Sequence, residues 1–124
     1  MNSSGDNINP FGTVLLGKLV AADFNISTDQ LITLISGNKN ITKIVIVNWS
    51  TSTALAAGGF YTASSKGGNT IVAAAQVYAA GLVGLVLQPT LNKAYVTGTS
   101  CYFSLTTANG SALTADIYIY GELL

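Results

Sequence analysis

From Ser100 to the last residue, apolar and polar positions alternate on both sides of an Asn109-Gly110 pair. Cys101, Phe103 and Leu105 share one face before the pair, and Leu113, Ala115, Ile117 and Ile119 share one face after it. A period of two with one apolar face is the signature of a half-buried strand, and Asn-Gly between two such runs predicts a hairpin. The opposite face carries Ser104, Thr106, Thr114, Asp116 and Glu122, as a hydrated surface requires. It also carries Tyr102, Tyr118 and Tyr120, which raises the question of what covers them.

The same pattern extends upstream. "TVLLGKLV" is a short Leu- and Val-rich run, and "DFNISTDQLITLI" joins an Asx- and Ser-rich bend to alternating Leu31, Thr33 and Ile35. After the turn residues Ser36–Asn40, "ITKIVIVNW" is the strongest strand signal, with an apolar centre of the kind expected where both faces are covered and with Val45, Val47 and Trp49 on one face. "FYTA" and "IVAAAQVY" flank "SSKGGNT", a second hairpin with a Gly-Gly turn, and "GLVGLVLQP" and "KAYVTG" read as further strands. Turn signals at this spacing predict an all-β chain, an antiparallel β-sandwich of about eight or nine short strands over residues 13–124. Residues 1–12, "MNSSGDNINPFG", have neither the basic cluster nor the apolar run of a signal segment and read as a polar N-terminal arm. The run Ile71–Leu87 competes with this picture, because its length and apolarity approach those of a membrane-spanning helix. Two internal glycines and the absence of flanking positive clusters favour two strands, with a short Ala-rich helix at Val72–Ala80 as the other option.

Composition then narrows the function. Charged residues are 8% and hydrophobic residues 49% of the 124, so solubility rests on hydroxyls and amides. Five lysines balance five acids with no Arg or His, which leaves nothing to neutralise a run of phosphates or to hold an anionic membrane. Near-zero net charge favours association, and a homo-oligomer, dimer or trimer, is the expectation. The single Cys101 excludes an internal disulfide and a cysteine zinc cage, and fits a small core residue. Five Asn-x-Ser/Thr sequons are what a chain so rich in these residues produces by chance. Without histidine no Ser-His-Asp or Cys-His relay can be assembled, and the acids Asp6, Asp23, Asp29, Asp116 and Glu122 are scattered without metal-loop spacing. "SSKGGNT" lacks the order of a phosphate loop, which makes Lys66 a turn residue. The expectation is a protein that is not an enzyme and uses no cofactor. Trp49 reads as a core plug before it reads as a sugar platform.

The residues "ITKIVIVNWSTS", "GGFYTASSKGG", "IVAAAQVY" and "SLTTANGSALTADIYIYG" carry a resemblance to a family of small proteins of tailed bacteriophages and prophages, over most of the chain after the arm. The resemblance implies a virion protein of the cement or decoration type: a jelly-roll-like sandwich on the outer surface of the capsid that binds the major capsid protein and bridges its subunits. No catalytic residues come with it. On this reading Tyr102, Tyr118 and Tyr120, with Asn9, Pro10 and Phe11 of the arm, are the candidate interface residues. The alternative is a receptor- or carbohydrate-binding module of a fibre or tail, using exposed loop residues near Trp49, Tyr61 or Tyr78.

Overall fold

A computed structural model of the chain describes residues 13–52, 55–78, 83–92 and 95–124. Its strands are β1 (Val14–Asp23), β2 (Gln30–Thr33), β3 (Lys39–Val47), β4 (Ala57–Ala63), β5 (Gly67–Val72), β6 (Tyr95–Val96), β7 (Ser100–Thr107) and β8 (Thr114–Leu123). Two four-stranded sheets result, ordered β1-β8-β3-β6 and β2-β7-β4-β5, and every ladder is antiparallel. The pairs β1 with β8, β2 with β7, β3 with β6 and β4 with β5 are nested, so the chain is one long hairpin rolled up into two layers. That nesting is the jelly-roll topology, an eight-stranded double sheet. The expected antiparallel sandwich is therefore the fold.

Alternation explains the core. Ile117 and Ile119 on β8 and Ile44 and Ile46 on β3 point inward from the first sheet, and Ile32, Phe60, Cys101, Phe103 and Leu105 meet them from the second. All are fully buried, and each large side chain contributes about 1.5–3 kcal/mol through the area it removes from water. Phe24, in the bend after β1, is the hub at one end, with its ring 4.8 Å from Phe103, 5.0 Å from Trp49 and 5.5 Å from Tyr78. Tilted and edge-on rings at such spacings add about 0.5–1.5 kcal/mol per pair beyond their area.

Three expectations change. The residues around Asn109-Gly110 do not close a hairpin, because β7 lies in one sheet and β8 in the other. The segment crosses the end of the sandwich and is tied to the β1–β2 bend: Asn109 N donates to Phe24 O at 2.9 Å, Phe24 N to Leu113 O at 2.9 Å, and Gly110 N to Asn25 Oδ1 at 2.8 Å. Trp49 does not share a face with Val45 and Val47, because Asn48 adopts φ 58° and turns the tryptophan into the core against Phe24. Finally, Ile71–Leu87 is neither two full strands nor, among its described residues, a helix. β5 stops at Val72, and the rest touches the sheets through single bridges, Val77 to Ala57 and Leu87 to Ile46. Among the described residues no helix is long and apolar enough to cross a membrane.

Candidate binding surfaces

The crossover between β7 and β8 divides the three tyrosines. Tyr118 and Tyr120 alternate with buried Ile117 and Ile119 and so stand on the outer face of the first sheet, whereas Tyr102 alternates with buried Cys101 and Phe103 on the outer face of the second. The two faces lie on opposite sides of the sandwich. No one flat partner can cover all three, and the grouping expected from a shared hairpin face is corrected accordingly. Asn9, Pro10 and Phe11 lie outside the described residues.

On the first sheet, β8 is flanked on both sides, so residues of β1 and β3 complete the face around the tyrosines. Tyr120 is paired with Leu15 and Lys43, Tyr118 with Lys18 and Val45, and Asp116 with Val47. Lys43 Nζ sits 5.3 Å from the centroid of the Tyr120 ring, a cation–π geometry. Leu15 is 42% exposed and Val20, farther along β1, is 58% exposed. Asp116 organises one end: Oδ1 accepts from Ala21 N and Oδ2 from Asn48 Nδ2, both at 2.8 Å. Those two residues are held at φ 56° and 58°, a conformation that Asn tolerates and Ala rarely adopts, so the carboxylate offsets a backbone cost chiefly at Ala21. At the other end Asn40 Nδ2 donates to Glu122 Oε1 at 3.3 Å. The result is an apolar and aromatic strip with lysines and acids interleaved, in which Lys18 and Lys43 are exposed and Tyr118, Tyr120, Val45 and Val47 half-buried.

The second sheet is different, because its own hairpin folds across it. Ser65 N, at the tip of the β4–β5 turn, donates to Asp29 Oδ2 at 2.6 Å, and Lys66 Nζ donates to Ser104 Oγ at 3.0 Å. Asp29 directly precedes the Gln30–Phe103 pair, so these bonds pin the tip over the middle of β7. Ser104 is fully buried as a consequence. The Ser65 amide, then the Ser104 hydroxyl and the Lys66 charge, hold the Asp29 carboxyl below its ordinary value. Tyr61, paired with Tyr102, is 3% exposed, and beside it a Cβ on Gly59 would overlap the backbone carbonyl oxygen of Val72. Gly59 is required by that close approach.

Lys66 is thus a clamp residue as well as a turn residue, and Asp29 and Ser104 are members of the clamp that spacing alone could not bring together. A nucleophile must be reachable by its substrate, and Ser104 is not. Cys101, at 0% exposure, has its thiol pushed up to about 12 by burial, far from a reactive thiolate. Trp49, weighed as a sugar platform, is 3% exposed, and Tyr61 and Tyr78, near which exposed loop residues are expected to bind a receptor or carbohydrate, are at 3% and 0%. The Tyr78 hydroxyl donates to Gly58 O at 2.9 Å, which uses it inside the fold. Among the described residues no group of three or more Cys, Asp and Glu side chains is placed to hold a metal.

No protein-family model matches the chain, and neither the curated proteins nor the solved structures provide a match.

Proposed function

We propose that this chain is a structural virion protein, a cement or decoration protein that binds the outer surface of a phage capsid and bridges major capsid protein subunits. The observation that carries this reading is the outer face of the first sheet, where exposed Leu15 and half-buried Tyr118, Tyr120, Val45 and Val47 line up across β1, β8 and β3 as an apolar strip. The resemblance of the sequence to small proteins of tailed phages supplies the context. A jelly roll by itself hosts many functions, so the weight falls on the face.

The size of that face decides how it would work. Three strands about 4.8 Å apart and roughly eight residues long at 3.4 Å each give on the order of 400 Å² per subunit, or about 800 Å² for a pair. Stable interfaces bury roughly 1,200–2,000 Å². A single contact through this face is therefore weak, and two free copies form a dimer only at high concentration. On a symmetric shell the same contact is repeated, and the effective concentration of neighbouring sites turns weak contacts into firm occupancy.

The test is a reconstruction by electron cryo-microscopy of shells decorated with the protein, with Tyr118→Ser/Tyr120→Ser and Tyr102→Ser variants in parallel. The expected result is jelly-roll density in regular copies outside the shell, lost or strongly reduced in the Tyr118/Tyr120 variant and retained for Tyr102→Ser. Density confined to a tail or fibre, or full occupancy by the Tyr118/Tyr120 variant, would overturn the proposal.

A further inference from the structure

A cavity of about 420 Å³ opens where the β6–β7 connection passes from the first sheet to the second above the β4–β5 hairpin. Its polar lining comes from Thr62, Asn69, Tyr95, Thr97, Thr99 and Ser100, and Val96 adds an apolar patch that is itself buried. The walls are held by strands of both sheets. Tyr95 and Val96 pair with Asn40 and Lys39 of β3, Ser100 pairs with Thr33 of β2, and Thr99 O accepts from Leu34 N at 2.7 Å. Thr62 Oγ1 accepts from Asn69 N at 2.8 Å, which joins β4 to β5 at the rim and leaves the hydroxyl proton to donate. Gly98 has open space where a side chain would be, so the mouth is not blocked.

The chemistry of the lining selects its ligand. Among the described residues no lysine, aspartate or glutamate lines the cavity, and the lining they supply is neutral. Lys39, paired with Val96, is turned to its own loop and donates to Gly37 O. A wholly apolar ligand would strip water from five hydroxyls and an amide without replacing their hydrogen bonds, at a cost for each. What remains is a neutral ligand dense in hydroxyls that also offers an apolar face. Tyr95, half exposed at the rim, provides the flat aromatic surface on which such a face stacks. The volume lies within the range of small-molecule sites and takes one or two sugar rings.

We propose that this cavity binds a neutral saccharide of one or two pyranose rings, stacked on Tyr95 and hydrogen-bonded by the Thr62, Asn69, Thr97, Thr99 and Ser100 side chains. None of these residues belongs to the Tyr118–Tyr120 face, and β6 is separated from β8 by β3, so this site stands or falls independently of the assembly reading. At about 0.3 kcal/mol per non-hydrogen atom, a single ring of about 12 such atoms binds with a Kd on the order of a few mM, and a second ring tightens this.

The experiment is a titration of isotope-labelled protein, followed by amide chemical shifts, with glucose, galactose, N-acetylglucosamine, maltose and lactose. Glucuronate and glucosamine serve as charged comparisons. The expected result is saturable shifts confined to residues 62, 69 and 95–100 with at least one neutral sugar, weaker response to its charged counterpart, binding reduced at least about tenfold by Tyr95→Ala, and binding retained by Tyr95→Phe. The spectrum of each variant reports its fold directly. Absence of saturable shifts across the neutral panel, shifts centred elsewhere, stronger binding of the charged sugars, or undiminished binding by a folded Tyr95→Ala protein would each overturn the proposal.

Discussion

Replacing Gly121 by alanine places one methyl group inside the first sheet, between β1 and β3. Gly121 is paired with Val14 on one side and Ile41 on the other. A Cβ there would lie far inside van der Waals contact with the Asn40 carbonyl oxygen, 2.9 Å from the Asn40 carbonyl carbon and 2.8 Å from Leu16 Cδ1. Two of those atoms are backbone, so rotation of a side chain cannot relieve the overlap. Normal carbon contacts are about 3.5–4.0 Å, and β3 would have to retreat by about 1 Å, enough to stretch the adjacent ladder hydrogen bonds beyond useful length. Loss of about two such bonds at roughly 1 kcal/mol each, with an overpacking cost of about 1–3 kcal/mol, outweighs the ~0.5–1 kcal/mol that alanine gains over glycine in a strand. The net expectation is a loss of about 2–4 kcal/mol.

The sign is diagnostic. Were β7 and β8 a two-stranded hairpin, Gly121 would sit near a strand end and alanine would be neutral or stabilising. In the rolled-up fold β8 is an inner strand and alanine is costly. Thermal unfolding followed by far-ultraviolet circular dichroism, and by fluorescence of the buried Trp49, measures the difference. At roughly 4 °C per kcal/mol for a domain of this size, the midpoint should fall by about 8–16 °C. Gly98→Ala, which adds a methyl into open space, should stay within about 0.5 kcal/mol of the parent. A Gly121→Ala protein that melts at or above the parent temperature would refute the placement of β8 between β1 and β3.

Three further outcomes follow from individual side chains. Asp116→Ala should cost about 1–2 kcal/mol in urea unfolding, because Ala21 and Asn48 both lose the carboxylate that holds them at positive φ. Lys39 is fully buried, and desolvation lowers its pKa from the ordinary 10.5. The unfolded chain then binds the proton more tightly, so the parent should gain stability as pH rises from the folded value toward 10.5, and Lys39→Met should remove that gain and be about 1 kcal/mol or more stabler at neutral pH. Asp29 has a folded pKa below 3.8, so its contribution is present above that pH and lost as pH falls through the folded value. Asp29→Asn should be less stable than the parent near neutrality, and the difference should vanish once Asp29 of the parent is protonated, as acid titration of the unfolding midpoint will show.

Strand positions were legible because a period of two needs no knowledge of partners: β1, β3, β4, β7 and β8 all coincide with alternating or apolar runs. What alternation does not carry is the identity of the neighbour. Phe103 and Ile117 both face inward in a hairpin and in a sandwich, so the apolar pattern is the same whether the Asn109-Gly110 segment turns within one sheet or crosses between two. The tyrosine grouping inherited that ambiguity. Asn48 shows a second limit, since one residue at positive φ reverses the facing of Trp49, and Asn is among the few residues that adopt it without announcing it in the pattern. The uniform run from Ile71 offered no punctuation to show that pairing would stop at Val72. For the cavity, the only signal was the hydroxyl cluster Thr97-Gly98-Thr99-Ser100 just after Tyr95, which reads as an ordinary turn until β6 and β7 are known to lie in different sheets.

The asymmetry of the two outer faces bears most directly on function. A sandwich buries one face of each sheet and must leave the others to water, to its own chain or to a partner. On the second sheet the chain supplies the cover, and the Asp29–Ser65 and Lys66–Ser104 bonds fasten it there, so Tyr102 and Tyr61 are half-buried or buried before any partner arrives. On the first sheet several charges have local tasks at the surface: Asp116 restrains Ala21 and Asn48, Glu122 meets Asn40, and Lys43 lies over Tyr120. Lys18 beside Tyr118 and Lys43 beside Tyr120 stay exposed, so a partner that covers the strip must leave those two ammonium groups in water at its rim or supply acceptors for them. A partner that docks there gains the area while leaving the fold's own contacts in place, which is the energetic requirement of a subunit that folds first and assembles afterwards.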